Sequence, residues 1–297
     1  MEFHLAISFL ESEQIMPLAK HAEHLGYAGI YVSDHLFNLD DYEKPYTYTK
    51  REDGNPGFPP GTSWPDPMVA IGMMAGACPS LSFTTGVYIA PMRDLMTVAK
   101  TVGTAAALSD NRVRLGIGVG WCKEEFDLTG QDYSTRGKRL DEMIPALREL
   151  WKGDWVEWHG EHYNVPRCEM KPAPTQPVPI IGGGHSPVAF RRAVELCDGW
   201  IAAGAYRAEE ARTHIATLKE TMATAGRSME GFRVYLSLGE WPDLDLYAEF
   251  RDLGVTDMIC APWMLVDAKG YSDPEALLAA RMAEMDSYAE RFVKPLA

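Results

Sequence analysis

The chain predicts an α/β fold, a (β/α)8 barrel occupying residues 1–297 as one domain. Three observations carry this. Eight short apolar segments alternate with eight helical ones along the whole length, the pattern of parallel β/α units. The 297 residues exceed the ~250 of such a barrel by the size of two insertions. Glycines, aromatic residues and a few charged groups crowd the carboxyl ends of the strands, where barrel sites are built. An open doubly wound sheet is the structural alternative, but eight successive units close into a ring more readily than they lie open in one sheet.

In order, a strand at 2–9 leads to a helix at 12–25, and the apolar Gly29-Ile30-Tyr31-Val32 centres a strand at 28–33. An insertion at 36–65 follows. It is rich in Tyr, Pro, Gly and Asp and carries Phe37, Tyr42, Tyr46, Tyr48, Phe58 and Trp64. A loop of that length after a strand reads as an active-site lid. A helix at 66–77, a strand at 81–88, a helix at 93–109 and a strand at 112–118 come next. After an acidic-aromatic turn (Glu124, Glu125, Phe126), a helix at 134–152 shows Leu140, Ile144, Leu147, Leu150 and Trp151 at helical spacing. The second insertion, 153–176, alternates around Gly160 and reads as a hairpin, which makes His159 and His162 surface residues in preference to metal ligands. Strands at 178–182, 198–202, 232–238 and 256–260 pair with helices at 186–196, 207–225, 243–253 and 273–292.

Composition narrows the function. Apolar residues make up 46% of the chain, enough for a large core. No run of about 18 apolar residues exists, so no membrane span is expected. The N-terminus lacks a basic leader and already reads as a strand. Five cysteines, widely spaced and without a Cys-x-x-Cys pair, suit a reducing cytoplasm and no zinc site. The net charge of −14 and the lack of a basic stripe argue against a nucleic-acid partner. An anionic ligand would therefore need a local basic pocket.

Several strand ends carry residues suited to chemistry. Asp34-His35 closes the second strand, and histidine exchanges protons near neutral pH. Thr84-Thr85-Gly86-Val87 closes the third. Gly116-Ile117-Gly118-Val119-Gly120-Trp121 closes the fourth, with glycines that let a flat group approach the backbone. A dinucleotide fingerprint would need G-x-G-x-x-G running into a helix. Here the third glycine falls one position early and Trp121 follows, so Trp121 reads as a pocket wall. Gly182-Gly183-Gly184-His185-Ser186 precedes a helix with Pro187 at its first position. Bare amides there can bind an anion, and Ser186 can cap the helix at the same time. Arg136, opening an earlier helix, is the matching cation, or else pairs with a nearby acid. His4, His21, His24 and His214 have no clustered partner and read as structural. Arg93 caps its helix or pairs with Asp94. A metal-dependent hydrolase would want His-x-His on one strand, and none occurs.

"NRVRLGIGVGWCKEEFDLTG" with "RGKRLDEMIPALRELWKG", together with "AEHLGYAGIYVSDHLF", "TTGVYIAPMRDLMTVAKTVGTAAALSDNR" and "PTQPVPIIGGGHSPVAFRRAVELCDGW", resembles the bacterial luciferase-like superfamily, most closely its coenzyme F420-dependent branch. The resemblance covers residues 1 to about 203. It implies a luciferase-like barrel holding a tricyclic ring at the mouth, backed by a cis peptide at Gly86-Val87. It further implies His35 beside the ring as the proton-exchanging residue, with Asp34 orienting cofactor or histidine. The cofactor region it implies comprises Thr85, Gly86, Val87, Gly118, Gly120, Trp121, Arg136 and Gly182 to Ser186. The reaction implied is hydride transfer between F420 and a small apolar or aromatic substrate, with Tyr46, Phe58, Trp64 and Trp121 lining the substrate pocket. Reduced FMN with oxygen, in a monooxygenase, is the alternative. A non-catalytic cofactor-binding barrel is the alternative of another class. Two departures bear on the choice. Val119 stands where luciferase has a phosphate-binding arginine, which weakens luciferase-type flavin binding. Trp121 stands where some sugar-phosphate dehydrogenases have a glutamate. A homodimer is a family expectation only.

Overall fold

Eight parallel strands close on themselves, each bringing a run of fully buried residues to the ring. The computed structural model describes residues 1–46, 48, 51–59 and 61–297. The ring strands are β1 (Glu2–Ala6), β2 (Gly29–Val32), β3 (Ser82–Thr85), β4 (Val113–Ile117), β7 (Ile180–Gly183), β8 (Gly199–Tyr206), β9 (Arg233–Leu238) and β10 (Asp257–Cys260). Their order around the barrel is β1-β10-β9-β8-β7-β4-β3-β2, all parallel, and β2 pairs back onto β1. The seam is in register, with Glu2 opposite Asp257 and Leu5 opposite Cys260. Two strands stand outside the ring: β5 (Trp155–His159) and β6 (Asn164–Glu169) form an antiparallel hairpin. The closed ring excludes the doubly wound sheet.

Helices cover the outside because their apolar residues recur on one face. In α1 (Ser12–His24) the buried Ile15, Leu18, Ala19 and Ala22 face the barrel. Around the ring follow α2 (Pro67–Ala77), α3 (Leu95–Leu108), α4 (Lys123–Leu128), α5 (Arg136–Leu150), α6 (Pro187–Leu196), α7 (Ala208–Thr224), α8 (Leu244–Asp252) and α9 (Pro274–Tyr288). Side chains cap several starts. Asp66 accepts from Met68 N and Val69 N, Asp94 from Thr97 N, and Asp243 from Leu246 N. The barrel interior is filled in layers, as in other closed parallel barrels. Ile181, Ile201, Tyr235 and Ile259, one from each of four successive strands, form one layer with Ala6, Tyr31 and Val87.

Three expectations from the sequence need adjustment. β3 ends at Thr85 instead of 88; the Gly86–Val87 peptide that follows is cis, and Tyr88 rejoins by a single bridge to Ile117. β8 runs on to Tyr206, with an irregularity between Ile201 and Ala205. The acidic-aromatic turn after Trp121 is helical, as α4, where Phe126 and Glu125 bury one side.

Around the amino ends of the strands, His4 Nε2 lies 2.8 Å from Asp257 Oδ1. Arg114 Nη1 donates to Glu2 Oε2 at 2.9 Å and to the Tyr235 hydroxyl at 2.9 Å, and Arg233 Nε donates to Asp257 Oδ2 at 3.0 Å. Glu2, His4 and Asp257 lie close enough together to share a cation, but the two guanidinium groups already neutralise them.

Candidate active site

The mouth of the barrel is built outward from the end of β2. The Asp34 side chain is 1% exposed, and both of its oxygens are committed to protein. Oδ1 accepts from Arg93 Nη2 at 2.9 Å, and Oδ2 from Arg93 Nη1 at 2.7 Å and Ile89 N at 2.8 Å. Asp34 thus ties β2 to the segment after Val87, and its side chain is engaged by Arg93 and the Ile89 amide. Arg93 is its partner, and Asp94 is the cap of α3.

His35 points the other way. Its Nδ1 lies 3.1 Å from Glu125 Oε1 on α4, and the same oxygen accepts from Leu36 N at 2.7 Å. Nε2 has no partner among the described residues. The ring is held among Trp64, Phe58 and Trp121, with centroids at 5.0, 5.3 and 5.9 Å. The insertion therefore lies over β2's end as an aromatic cover. Tyr46 packs on Trp121 at 4.8 Å, and Phe58 on Trp64 at 5.0 Å. Tyr48 continues the row to His185 at 4.9 Å. Burial pushes the Tyr46 phenol up to about 12, so it stays protonated and can donate. All four pocket residues named from the sequence gather here.

α4 fastens this cover. Besides the Glu125 bonds, Glu124 Oε1 accepts from Glu43 N at 2.5 Å, and Lys123 Nζ donates to Glu43 Oε2 at 2.8 Å. Glu125 was missed in the sequence because it reads as one acid in a charged turn; Phe126 beside it, at a position that buries, was the available signal.

The glycines divide by what they accommodate. A Cβ on Gly118 would lie 2.4 Å from Val87 Cγ2, and one on Gly183 2.5 Å from Val87 Cγ1. These two glycines admit the Val87 side chain, and a Cβ on Gly86 would strike the Tyr31 ring. Gly182 instead faces Ala193 and Cys197, so its small size serves helix packing. Thr85 is fully buried, and its hydroxyl donates to Gly116 O at 2.7 Å. Gly120, at φ +75°, turns the chain, and its carbonyl accepts from Arg136 Nε at 3.1 Å.

At the start of α6, Ser186 caps the helix by accepting from Ala189 N, and Gly184 adopts φ +109°. The amides of His185 and Ser186 make no bond among the described residues. His185 stacks on His214 at 4.8 Å with an 8° interplanar angle, and its Nδ1 meets the Tyr206 hydroxyl at 2.6 Å. His214, expected to stand alone, is therefore part of an aromatic cluster that spans 29 residues of chain between its two histidines. Burial lowers both imidazoles below the ordinary histidine value; in His214 the neighbouring His185 adds to this, and Glu210 opposes it in both. Arg136 lies flat on Tyr133, its guanidinium 3.6 Å from the ring centroid, and donates to Tyr133 O at 2.7 Å. It pairs with no acid, and its Nη2 has no partner among the described residues.

Fold and site together define a (β/α)8 barrel whose carboxyl face lies under an aromatic lid. The profile of the luciferase-like monooxygenase family matches residues 8–239, and the chain belongs to that family of enzymes. The uncharacterised protein Rv0940c of Mycobacterium tuberculosis is 36% identical over 259 residues, covering 87% of this chain and 88% of its own. The F420-dependent glucose-6-phosphate dehydrogenase of Nakamurella multipartita is 27% identical over 80% of this chain and 66% of its own. Among solved structures, the coenzyme F420-dependent tetrahydromethanopterin reductase of Methanopyrus kandleri has the same fold, with a TM-score of 0.73 at 14% identity, covering 100% of this chain and 99% of that one. The monooxygenase RslO1 of Streptomyces bottropensis also has a TM-score of 0.73, at 15% identity over the full length of both chains.

Proposed function

We propose that the chain is an F420-dependent oxidoreductase acting on a small apolar or aromatic substrate. The observation that carries the reading is His35, whose ring packs against Trp64, Phe58 and Trp121 and whose Nε2 has no partner among the described residues. The relatives named as F420-dependent dehydrogenases support the choice of cofactor. The donor set fits an anionic cofactor tail. Open amides of His185 and Ser186 begin a helix, and Arg136 Nη2 is unengaged in a chain of net charge −14. When bound, F420 supplies a ring that accepts or gives a hydride.

The residues of the chain do the rest. His35 Nε2 takes up or returns the substrate's proton, because it is the ring nitrogen without a partner among the described residues. Trp121, Tyr46, Phe58 and Trp64 exclude water and select flat or apolar groups. Val87, seated against Gly118 and Gly183, gives the floor of the mouth a rigid apolar surface.

Titrating the purified protein separately with F420 and with FMN, followed by ring fluorescence, tests the cofactor; binding of F420 supports the reading, and tight binding of FMN alone reverses it. His35→Asn should then lower turnover by about 10²–10⁴-fold with F420 binding retained, the range for loss of an acid–base residue.

A further inference from the structure

We infer that Glu125 is the positioning residue that fixes the tautomer of His35. The inference rests on the reading of His35 given above but is drawn from geometry independent of the cofactor.

Glu125 Oε1 meets two groups from one stretch of chain: it lies 3.1 Å from His35 Nδ1 and accepts from Leu36 N at 2.7 Å. The carboxylate is 2% exposed, so it has little water to fall back on. An ionised carboxylate only accepts hydrogen bonds. A neutral imidazole facing it must therefore carry its hydrogen on Nδ1, which leaves Nε2 as a lone pair. The ring that carries it is packed among Trp64, Phe58 and Trp121. Without the carboxylate, a neutral ring could equally place its hydrogen on Nε2, and that nitrogen would then be a donor, with the accepting lone pair moved to Nδ1. The Leu36 bond adds an orientational hold, because it fixes the backbone next to the ring while Nδ1 fixes the ring itself. Lys123 and Glu124, gripping Glu43, hold α4 against the same segment and keep the carboxylate in place.

The test reads the tautomer directly in the protein without cofactor. Histidine labelled with 15N is observed at a pH where the rings are neutral, with His35→Asn used to assign the resonance. The wild type should show His35 protonated at Nδ1 and bare at Nε2. Glu125→Ala should lose that state in favour of Nε2–H. Glu125→Gln, whose amide oxygen can accept both hydrogens, should retain it. A wild-type His35 protonated at Nε2 overturns the inference whether or not the alanine variant folds, and so does an unchanged tautomer in folded Glu125→Ala. Failure of the F420 titration would leave this measurement untouched, so loss of the proposed function and loss of this role are told apart.

Discussion

Two consecutive residues, Asp34 and His35, divide the work at the end of β2. Asp34 turns inward to Arg93 and joins two strand ends. His35 turns to Glu125 and the lid. Both residues lie just past Val32, the last residue of β2, and different partners hold each of them. The bidentate Arg93–Asp34 pair is nearly dry, with side chains 13% and 1% exposed. Removing one partner of such a pair strands the other charge, at a cost of about 3–5 kcal/mol. Arg93→Ala should therefore lower stability by about that amount, read as a shift of the urea midpoint at unchanged slope. Arg93→Lys should recover part of it, because an ammonium restores the charge but not the two parallel bonds.

At the scale of elements, the strands and helices around the ring were legible because apolar runs alternate with helical periodicity, a signal that survives without tertiary knowledge. α4 was not. Six residues give less than two turns of periodicity, and its acids look solvated until Glu125 is seen under the lid. The start of α6 was half legible: the glycines and Ser186 are contiguous, whereas His214 reaches His185 from α7, and pairing across 29 residues leaves no local trace. The Arg93 partner of Asp34 was hidden for a related reason, since the two lie 59 residues apart in the chain. The α6–α7 corner has a consequence for pH. The fold lowers the affinity of His185 and His214 for protons, first by burial. The unfolded chain, with ordinary histidines near ~6.5, takes up protons before the folded one does. This corner's contribution is therefore complete above that value and is lost as pH falls through it towards the lower folded values. Urea midpoints should drop between pH 7.5 and 5.5, and His214→Asn should make that drop shallower. A slope unaltered by the substitution would show that the stacked pair does not control it.

At the scale of the molecule, the barrel has two ends with different chemistry. The mouth is walled by aromatic side chains, while around the opposite end Glu2, His4, Arg114, Arg233 and Asp257 join β1, β4, β9 and β10 across the seam that closes the ring. Asp257 is fully buried there. Burial alone would raise its carboxyl, but hydrogen bonds and charge from His4 and Arg233 outweigh it and hold the group well below the usual carboxylate range. A lowered carboxyl contributes stability that is complete above the unfolded value, ~3.9, and is lost as pH falls towards the folded one. Acid unfolding should therefore begin near pH 4 and involve the seam, so that amides of β1 and β10 lose hydrogen-exchange protection with the transition. Asp257→Asn should cost about 3 kcal/mol at pH 7, the low end for a broken buried pair because Glu2 and Arg233 are partly exposed. The variant should also flatten the acid limb below pH 4, since the group that titrates has gone. An acid limb as steep as in the wild type would place the sensitivity elsewhere, and the seam would then be held by strand pairing and core packing without a large ionic share.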